Sequence, residues 1–299
     1  MWFRNLVPYR LQDVPAYDAE AAAAGLSGFE FEPCGALEAG RSGWVPPLGP
    51  DAPLVHAAAG CLLFCLQEES KLLPAAVIRE AVDERVSARE TAEQRKVRKR
   101  ERDGIRDEVM VDLLPRAFSR HKRTWGYIDT ETGFLVVDAA SERQAEFFTE
   151  QLRQAWGSLP VIPPDPRESP ASVMTRWLAQ QRPPGDVELG EEAVLEDPRA
   201  EGCEVRVKRQ DLTADEIRAH IDAGKRVRRL GLTWGERLTG VLDANLTLYR
   251  FKFLDMVREQ AGDREAESEA ERLDGDFALM ALELRAFFPR LLELFGGER

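Results

Sequence analysis

Residues 95–123 read RKVRKRERDGIRDEVMVDLLPRAFSRHKR, from Arg95 to Arg123. The stretch holds eleven Lys/Arg against five Asp/Glu, a charge of +6 within a chain of −12. The remainder therefore carries −18, and a polyanion approaching it finds few places to bind. Arg95, Lys96, Arg98, Lys99, Arg100 and Arg102 cover nearly every face of a helix, so some can line a nucleic-acid path while others point to water. A solvated helix steadied by Glu93 and Glu101 is the plainer reading of the same residues. The run leads into Leu113-Leu114-Pro115-Arg116-Ala117-Phe118-Ser119-Arg120, where an apolar pair, a helix-stopping proline and a phenylalanine between arginines predict a projecting tip.

Working outward, Pro74 suits the first turn of a helix, and Val77, Ile78, Ala81, Val82 and Val86 follow it as an apolar stripe at helical spacing. After Arg89 the stripe fades, and a helix that loses its apolar face is leaving the core. At 1.5 Å per residue, some forty residues reach roughly 60 Å, unless Gly104 kinks the helix or splits it. The expectation is an arm with the LLPRAF segment at its far end.

On the amino-terminal side, residues 1–11 read as a strand, Ala19–Ala24 as a short helix closed by Gly25, and Phe29/Phe31 as a half-buried strand broken by Pro33. The Gly/Pro-dense residues 40–53 read as a rigid loop, with Trp44 under the sheet. Gly60–Leu66 is the clearest buried strand. Beyond the arm, Thr124–Asp129 and Gly133–Ala139 predict a hairpin, and Ser141 caps a helix to Trp156. Leu159–Pro170 is a connector, Val173–Leu178 a short helix, and Pro183-Pro184-Gly185 a second break. Cys203–Lys208 alternates as a strand. A helix follows to Ala223, with Thr213 as cap, Glu216 at the capping-box position and Gly224 at its end. Arg226–Trp234, Arg237–Asp243 and Thr247–Leu254 are three further strands, antiparallel neighbours. An acidic segment, residues 255–276, precedes a closing amphipathic helix from Phe277 to Phe295. The fold class is α+β with mixed or antiparallel sheets and no internal repeat. The expected organisation is an N-terminal body (1–73 with 124–160), an arm and tip (74–123) and a C-terminal body (161–299).

Composition, at 43% apolar and 31% charged residues, is that of a globular chain able to bury a large core. No run of eighteen apolar residues and no signal-peptide pattern occurs, which predicts a cytoplasmic protein without a membrane partner. Cys34, Cys61, Cys65 and Cys203 lack zinc or redox spacing, and Cys61 and Cys65 read as buried thiols in a strand. No Walker loop, GxGxxG or GxSxG is present, and the three histidines His56, His121 and His220 form no cluster. No catalytic residue, metal ligand or cofactor is assigned. Trp125 and Tyr127 read as sheet residues rather than base-stacking platforms.

A second basic cluster combines Arg206, Lys208 and Arg209 with Lys225, Arg226, Arg228 and Arg229 on the following strand. Alternation puts Arg206 and Lys208 on one face and Arg209 on the other. Gln210 adds a neutral donor that can reach a phosphate.

LLPRAFSR, with Gly43-Trp44-Val45-Pro46-Pro47-Leu48-Gly49 upstream and Lys208-Arg209-Gln210-Asp211-Leu212-Thr213 downstream, resembles the bacterial RdgC family of recombination-associated proteins. The similarity runs from Trp2-Phe3-Arg4-Asn5-Leu6 to Leu294-Phe295-Gly296-Gly297. It implies a non-catalytic, nucleoid-associated protein that binds double-stranded DNA without sequence preference. It further implies a ring-shaped homodimer that closes around the duplex and restrains the RecA recombinase. In the family the KQDLT segment lies where the ring faces DNA; here Arg209 stands where a lysine is expected, which keeps the charge and alters the contact geometry. Phe118 fills a local core beside Leu113 and Leu114 or, as the resemblance implies, packs with Leu114 and Pro115 against the second subunit as a gate. A net charge of −12 per chain repels DNA, so binding must rest on phosphate contacts concentrated along an inner surface and weaken steeply with salt. Two other readings stand beside this one. One is a protein-interaction module whose basic arm docks an acidic partner; the other is a metal-dependent nuclease, which added Mg²⁺ would reveal.

Overall fold

The computed structural model describes residues 1–12, 18–262 and 268–299. Two compact units emerge, the first comprising Met1–Ser27, Pro46–Cys65 and Thr124–Arg299, the second Gly28–Val45 and Leu66–Arg123. The elements in chain order are β1 (Leu6–Leu11), α1 (Ala19–Leu26), β2 (Gly40–Val45), β3 (His56–Ala58), β4 (Cys61–Leu72), α2 (Ala75–Glu93), α3 (Lys99–Leu113), β5 (Phe118–Asp129), β6 (Phe134–Asp138) and α4 (Glu142–Trp156). They continue with β7 (Val161–Ile162), α5 (Pro170–Gln180), β8 (Val187–Glu196), β9 (Glu204–Lys208), α6 (Asp215–Asp222), β10 (Arg226–Trp234), β11 (Leu238–Asp243), β12 (Leu248–Phe253), α7 (Asp255–Gly262) and α8 (Glu269–Leu294). The α+β class is as expected. No helix among the described residues is long and apolar enough to cross a membrane.

In the first unit the strands run in the order β4-β5-β6-β1-β12-β11-β10-β8-β9, with β3 on β4 and β7 on β1. The β5–β6 hairpin forms where the sequence places it. Asp129 accepts hydrogen bonds from the Glu131 amide (3.0 Å) and the Thr132 hydroxyl (2.7 Å), and Gly133 supplies the left-handed residue at φ +71°. Ser141 caps α4 by accepting from the Gln144 amide at 3.3 Å. The core gathers under one face of the sheet. Phe277, Met280, Ala281, Leu284, Phe287, Phe288 and Leu291 of α8 recur every three or four residues and are all buried there. α8 begins eight residues before Phe277, capped by Ser268, whose hydroxyl accepts from the Glu271 amide. Part of the acidic segment 255–276 lies outside the described residues; of the rest, Asp255–Gly262 is helical.

The α6 start differs from expectation. Thr213 does not cap the helix, because its amide and hydroxyl both bond the Asp211 carboxylate, at 2.8 and 2.7 Å; Ala214 takes the cap position. Gly224 closes the helix as expected, at φ +95°.

In the second unit β2 pairs with β4 and β4 with β5. Residues 40–45 are a strand and not a loop, and Phe29/Phe31 make only an isolated bridge. The Phe31 amide donates to the Trp44 carbonyl and the Trp44 amide to the Phe29 carbonyl, each at 2.9 Å. Gly43 permits this approach, since a Cβ there would lie 2.4 Å from the Phe31 Cα.

The expected forty-residue helix is two helices. Gln94 ends α2 in the left-handed conformation at φ +50°, four residues turn the chain, and α3 packs back on α2. Val82 and Val86 meet Ile105 and Val109, so the stripe that fades after Arg89 resumes on the returning helix. Gly104 sits inside α3 without breaking it. The hairpin's distal turn is therefore residues 94–98. The LLPRAF segment lies at the opposite end, a single 3-10 turn at Leu114–Arg116 leading into β5, where Lys71 donates to the Ser119 hydroxyl at 3.1 Å.

Candidate nucleic-acid interface

Strands β8 to β12 of the first unit turn one set of side chains into the core and the other outward. Ala193, Leu195, Val207, Val227, Leu230, Leu242, Leu248 and Phe251 are the inward set. Arg206 and Lys208 share the outward face, opposite Val194 and Glu192 respectively, as alternation predicts. Arg226 lies opposite Glu196 on the same face, and Arg229 opposite Val194 and Asp243.

Two departures from alternation add to this face. The β8–β10 register shifts between Val227 and Arg229, so Arg228 is an inserted residue; its guanidinium lies 3.5 Å from Glu196 and 3.9 Å from Asp243. The β11–β12 register shifts between Thr239 and Val241, opposite Lys252 and Tyr249, which inserts a residue around Arg250. Arg250 takes φ +51°, a left-handed conformation uncommon for a residue with a side chain. It remains exposed and pairs with Glu192. Its neighbour Tyr249 lies beneath Arg229, whose guanidinium carbon is 4.5 Å from the ring centroid while Nε bonds Asp243 at 2.6 Å. The result is a shallow basic cup. Sequence reasoning missed Arg250; the signal was the pair Tyr249-Arg250 between inward-facing Leu248 and Phe251, one residue too many for strict alternation.

Arg209 leaves β9 at φ +53° and is exposed. Gln210 donates to Glu216 at 2.6 Å, and Lys225 Nζ lies 3.4 Å from Cys203 Sγ. Among the described residues Lys208, Arg209 and Arg226 form no ion pair.

The second unit treats its basic run differently. Residues 75–113 contain ten Lys/Arg and ten Asp/Glu, so the hairpin as a whole is neutral. Arg95 pairs with Glu93 (2.5 Å) and Glu101 (2.6 Å), Lys96 with Glu90 (2.8 Å), and Arg102 with Asp83. Hydrogen bonds from the Arg95 side chain, then the Arg98 amide, hold the Glu101 carboxyl down at about 2. Lys96 and the Val97 amide lower Glu90 in the same way. Arg98 caps α3, and its amide reaches Glu101 at 2.8 Å. Among the described residues Arg98, Lys99 and Arg100 have no ion pair, and all three are exposed. At the other end of the hairpin Leu114 is buried and Pro115 exposed, while Phe118 is 84% exposed. Phe118 alternates along β5 with Ser119, whose face is occupied by Lys71, and precedes exposed Arg120.

The family profile described as "Putative exonuclease, RdgC" matches residues 1–298. The chain belongs to the RdgC family. It is 72% identical over 299 residues to the Recombination-associated protein RdgC of Halorhodospira halophila, covering all of this chain and 99% of that one. The Pseudomonas aeruginosa protein of the same name is 41% identical over 300 residues, and that of Yersinia pestis 40% over 299, each spanning the whole of this chain and at least 98% of its own length. The relatives' shared name ties the RdgC family to recombination, whereas the profile's description names a nuclease. Among the described residues no group of three or more His, Cys, Asp or Glu is placed to hold a metal ion.

Proposed function

We propose that this RdgC family member is a non-catalytic protein that binds double-stranded DNA without sequence preference. In this reading it closes as a homodimer around the duplex and limits recombination by occupying DNA that RecA would otherwise use. The observation that carries the reading is the outward face of β8–β12. There Arg206, Lys208, Arg226, Arg228, Arg229 and Arg250 face solvent against four acids, Glu192, Glu196, Glu204 and Asp243, in a chain that is otherwise acidic. A flat sheet face enters no groove, so its cations meet phosphates and not base edges. Arg209, Gln210 and Lys225 extend this surface along the chain. Arg98, Lys99 and Arg100 supply a second set of contacts, with Arg95, Lys96 and Arg102 exchanging carboxylate for phosphate partners. Phe118, beside Leu114 and Pro115, supplies a dimer contact, since an 84% exposed phenylalanine gains from burial against a second copy.

Titrating unrelated duplexes of equal length tests this. Equal affinities that fall together with salt support the reading; a preference for one sequence, or no binding at low salt, contradicts it. The nuclease reading, favoured by the profile's description, is tested by incubating end-labelled duplex with the protein and Mg²⁺ or Mn²⁺. The proposed function requires the label to stay on full-length DNA.

A further inference from the structure

The cup on the β8–β12 face has a volume of about 210 Å³ and is ringed by Arg206, Lys208, Arg229 and Arg250, with Glu192 the one acid on its rim and Val194 and Val241 among its apolar residues. At about 30 Å³ per water it holds several, enough for a hydrated anion. Two features single it out from an ordinary mixed surface. First, the four cations come from three strands, Arg206 and Lys208 from β9, Arg229 from β10 and Arg250 from β12, and converge because the chain departs from regular geometry. A bulge in β10 turns Arg229 outward, and a second in β12 sets Arg250 beside it. Second, Arg250 holds φ +51° without being glycine. Strain of that kind persists where the surrounding structure imposes it, and it clusters at ligand sites.

Glu192, Asp243 and Glu204 hold Arg250, Arg229 and Arg206 in place, and among the described residues Lys208 is the one cation of the four without an ion pair. Asp243 is nearly buried and fixes Arg229 through Nε, with Tyr249 beneath the guanidinium. The Glu192–Arg250 pair is exposed on the arginine side, where solvent weakens an ion pair. A phosphate oxygen can take Glu192's place on the guanidinium fork and accept from Lys208 as well.

We infer that the cup is a seat for one backbone phosphate of DNA per protomer, with Arg250 and Lys208 donating to the phosphate and Glu192 occupying Arg250 until DNA displaces it. This rests on the proposed duplex binding and adds Arg250 as a contact and Glu192 as its competitor.

The test is fluorescence anisotropy of a labelled duplex over a salt series with the full chain, comparing wild type with Arg250→Gly, Glu192→Gln, Lys208→Gln and Lys252→Gln. Glycine suits the backbone at position 250, so Arg250→Gly is expected to keep or raise the thermal midpoint. It should weaken binding about tenfold and flatten the plot of log K against log salt by about 0.9 per protomer. Glu192→Gln leaves the backbone untouched and removes the competitor, so it is expected to tighten binding. Lys252→Gln, exposed on the same strand outside the cup, is expected to match wild type. Wild-type affinity and slope in Arg250→Gly while Lys208→Gln weakens would overturn the seat and leave duplex binding standing. Weaker or unchanged binding by Glu192→Gln, or a loss in Lys252→Gln equal to that in Arg250→Gly, also overturns it. A wild-type protein that binds no duplex overturns both.

Discussion

Arg285 on α8 ties together two stretches far apart in the chain, residues 59–61 and 129–131. Its Nε donates to Asp129 at 2.9 Å, Nη1 lies 2.6 Å from Glu131, and Nη2 donates to the Ala59 carbonyl at 2.5 Å and to Cys61 Sγ at 3.4 Å. Burial, with the Asp129 charge behind it, pushes the Cys61 thiol up to about 12, so it stays a neutral core thiol. That fate was legible in the apolar run around Cys61. The arginine was not, because its partner lies 156 residues away in sequence. Arg285→Met would leave the Asp129 carboxylate, 1% exposed, without its cation. The expected cost is about 3–5 kcal/mol, read as a lower urea midpoint. Phe118 makes the contrasting case. With so little of it buried, Phe118→Ser should change stability by less than about 0.5 kcal/mol, while sedimentation shows weaker self-association if Phe118 is a dimer contact. A dimer as tight as wild type would contradict that role.

The α2–α3 hairpin has an apolar seam of only four buried side chains, and many of its charges are paired across the turn or between the helices. Ile105→Ala removes a large share of that seam and should cost about 2–5 kcal/mol, melting the hairpin's helical signal below the main transition. The ion pairs give the hairpin a pH dependence of definite sign. Glu101 titrates lower in the folded hairpin than in an unfolded chain, so its contribution is complete above the unfolded value. It is lost as pH falls from about 4.5 to about 2. Helical ellipticity should decline through that window; an unchanged signal at pH 2 would show that the pairs do not hold the hairpin. Periodicity found both helices here but not the break between them. Gln94 in a left-handed conformation carries no sequence mark, whereas Gly104, which does, stays helical. The Gly-rich residues 40–45 were hidden for a related reason: glycine signals a loop, yet Gly43 serves a close strand pairing. Similarly, Thr213 had the spacing of a cap, and Asp211 took its hydroxyl.

Across the whole chain the charge of −12 sets the conditions for binding a polyanion. The basic run 95–123, the most conspicuous feature of the sequence, is balanced only in part when α2 folds against it: Glu90, Glu93 and Asp83 of α2 and Glu101 within the run pair with Lys96, Arg95 and Arg102. The less conspicuous arginines of β8–β12 remain outward on a sheet face. Alternation made Arg206 and Lys208 legible there, and two bulges concealed how Arg228, Arg229 and Arg250 join them. Membership of the RdgC family places the chain in a family named for its association with recombination. The most direct measurement is the affinity for one duplex, linear and covalently closed, from low to high salt. The account predicts a log–log slope of several units, indifference to sequence, and slower release from the closed circle than from the linear form. Salt-independent binding, or none at low salt, would contradict it.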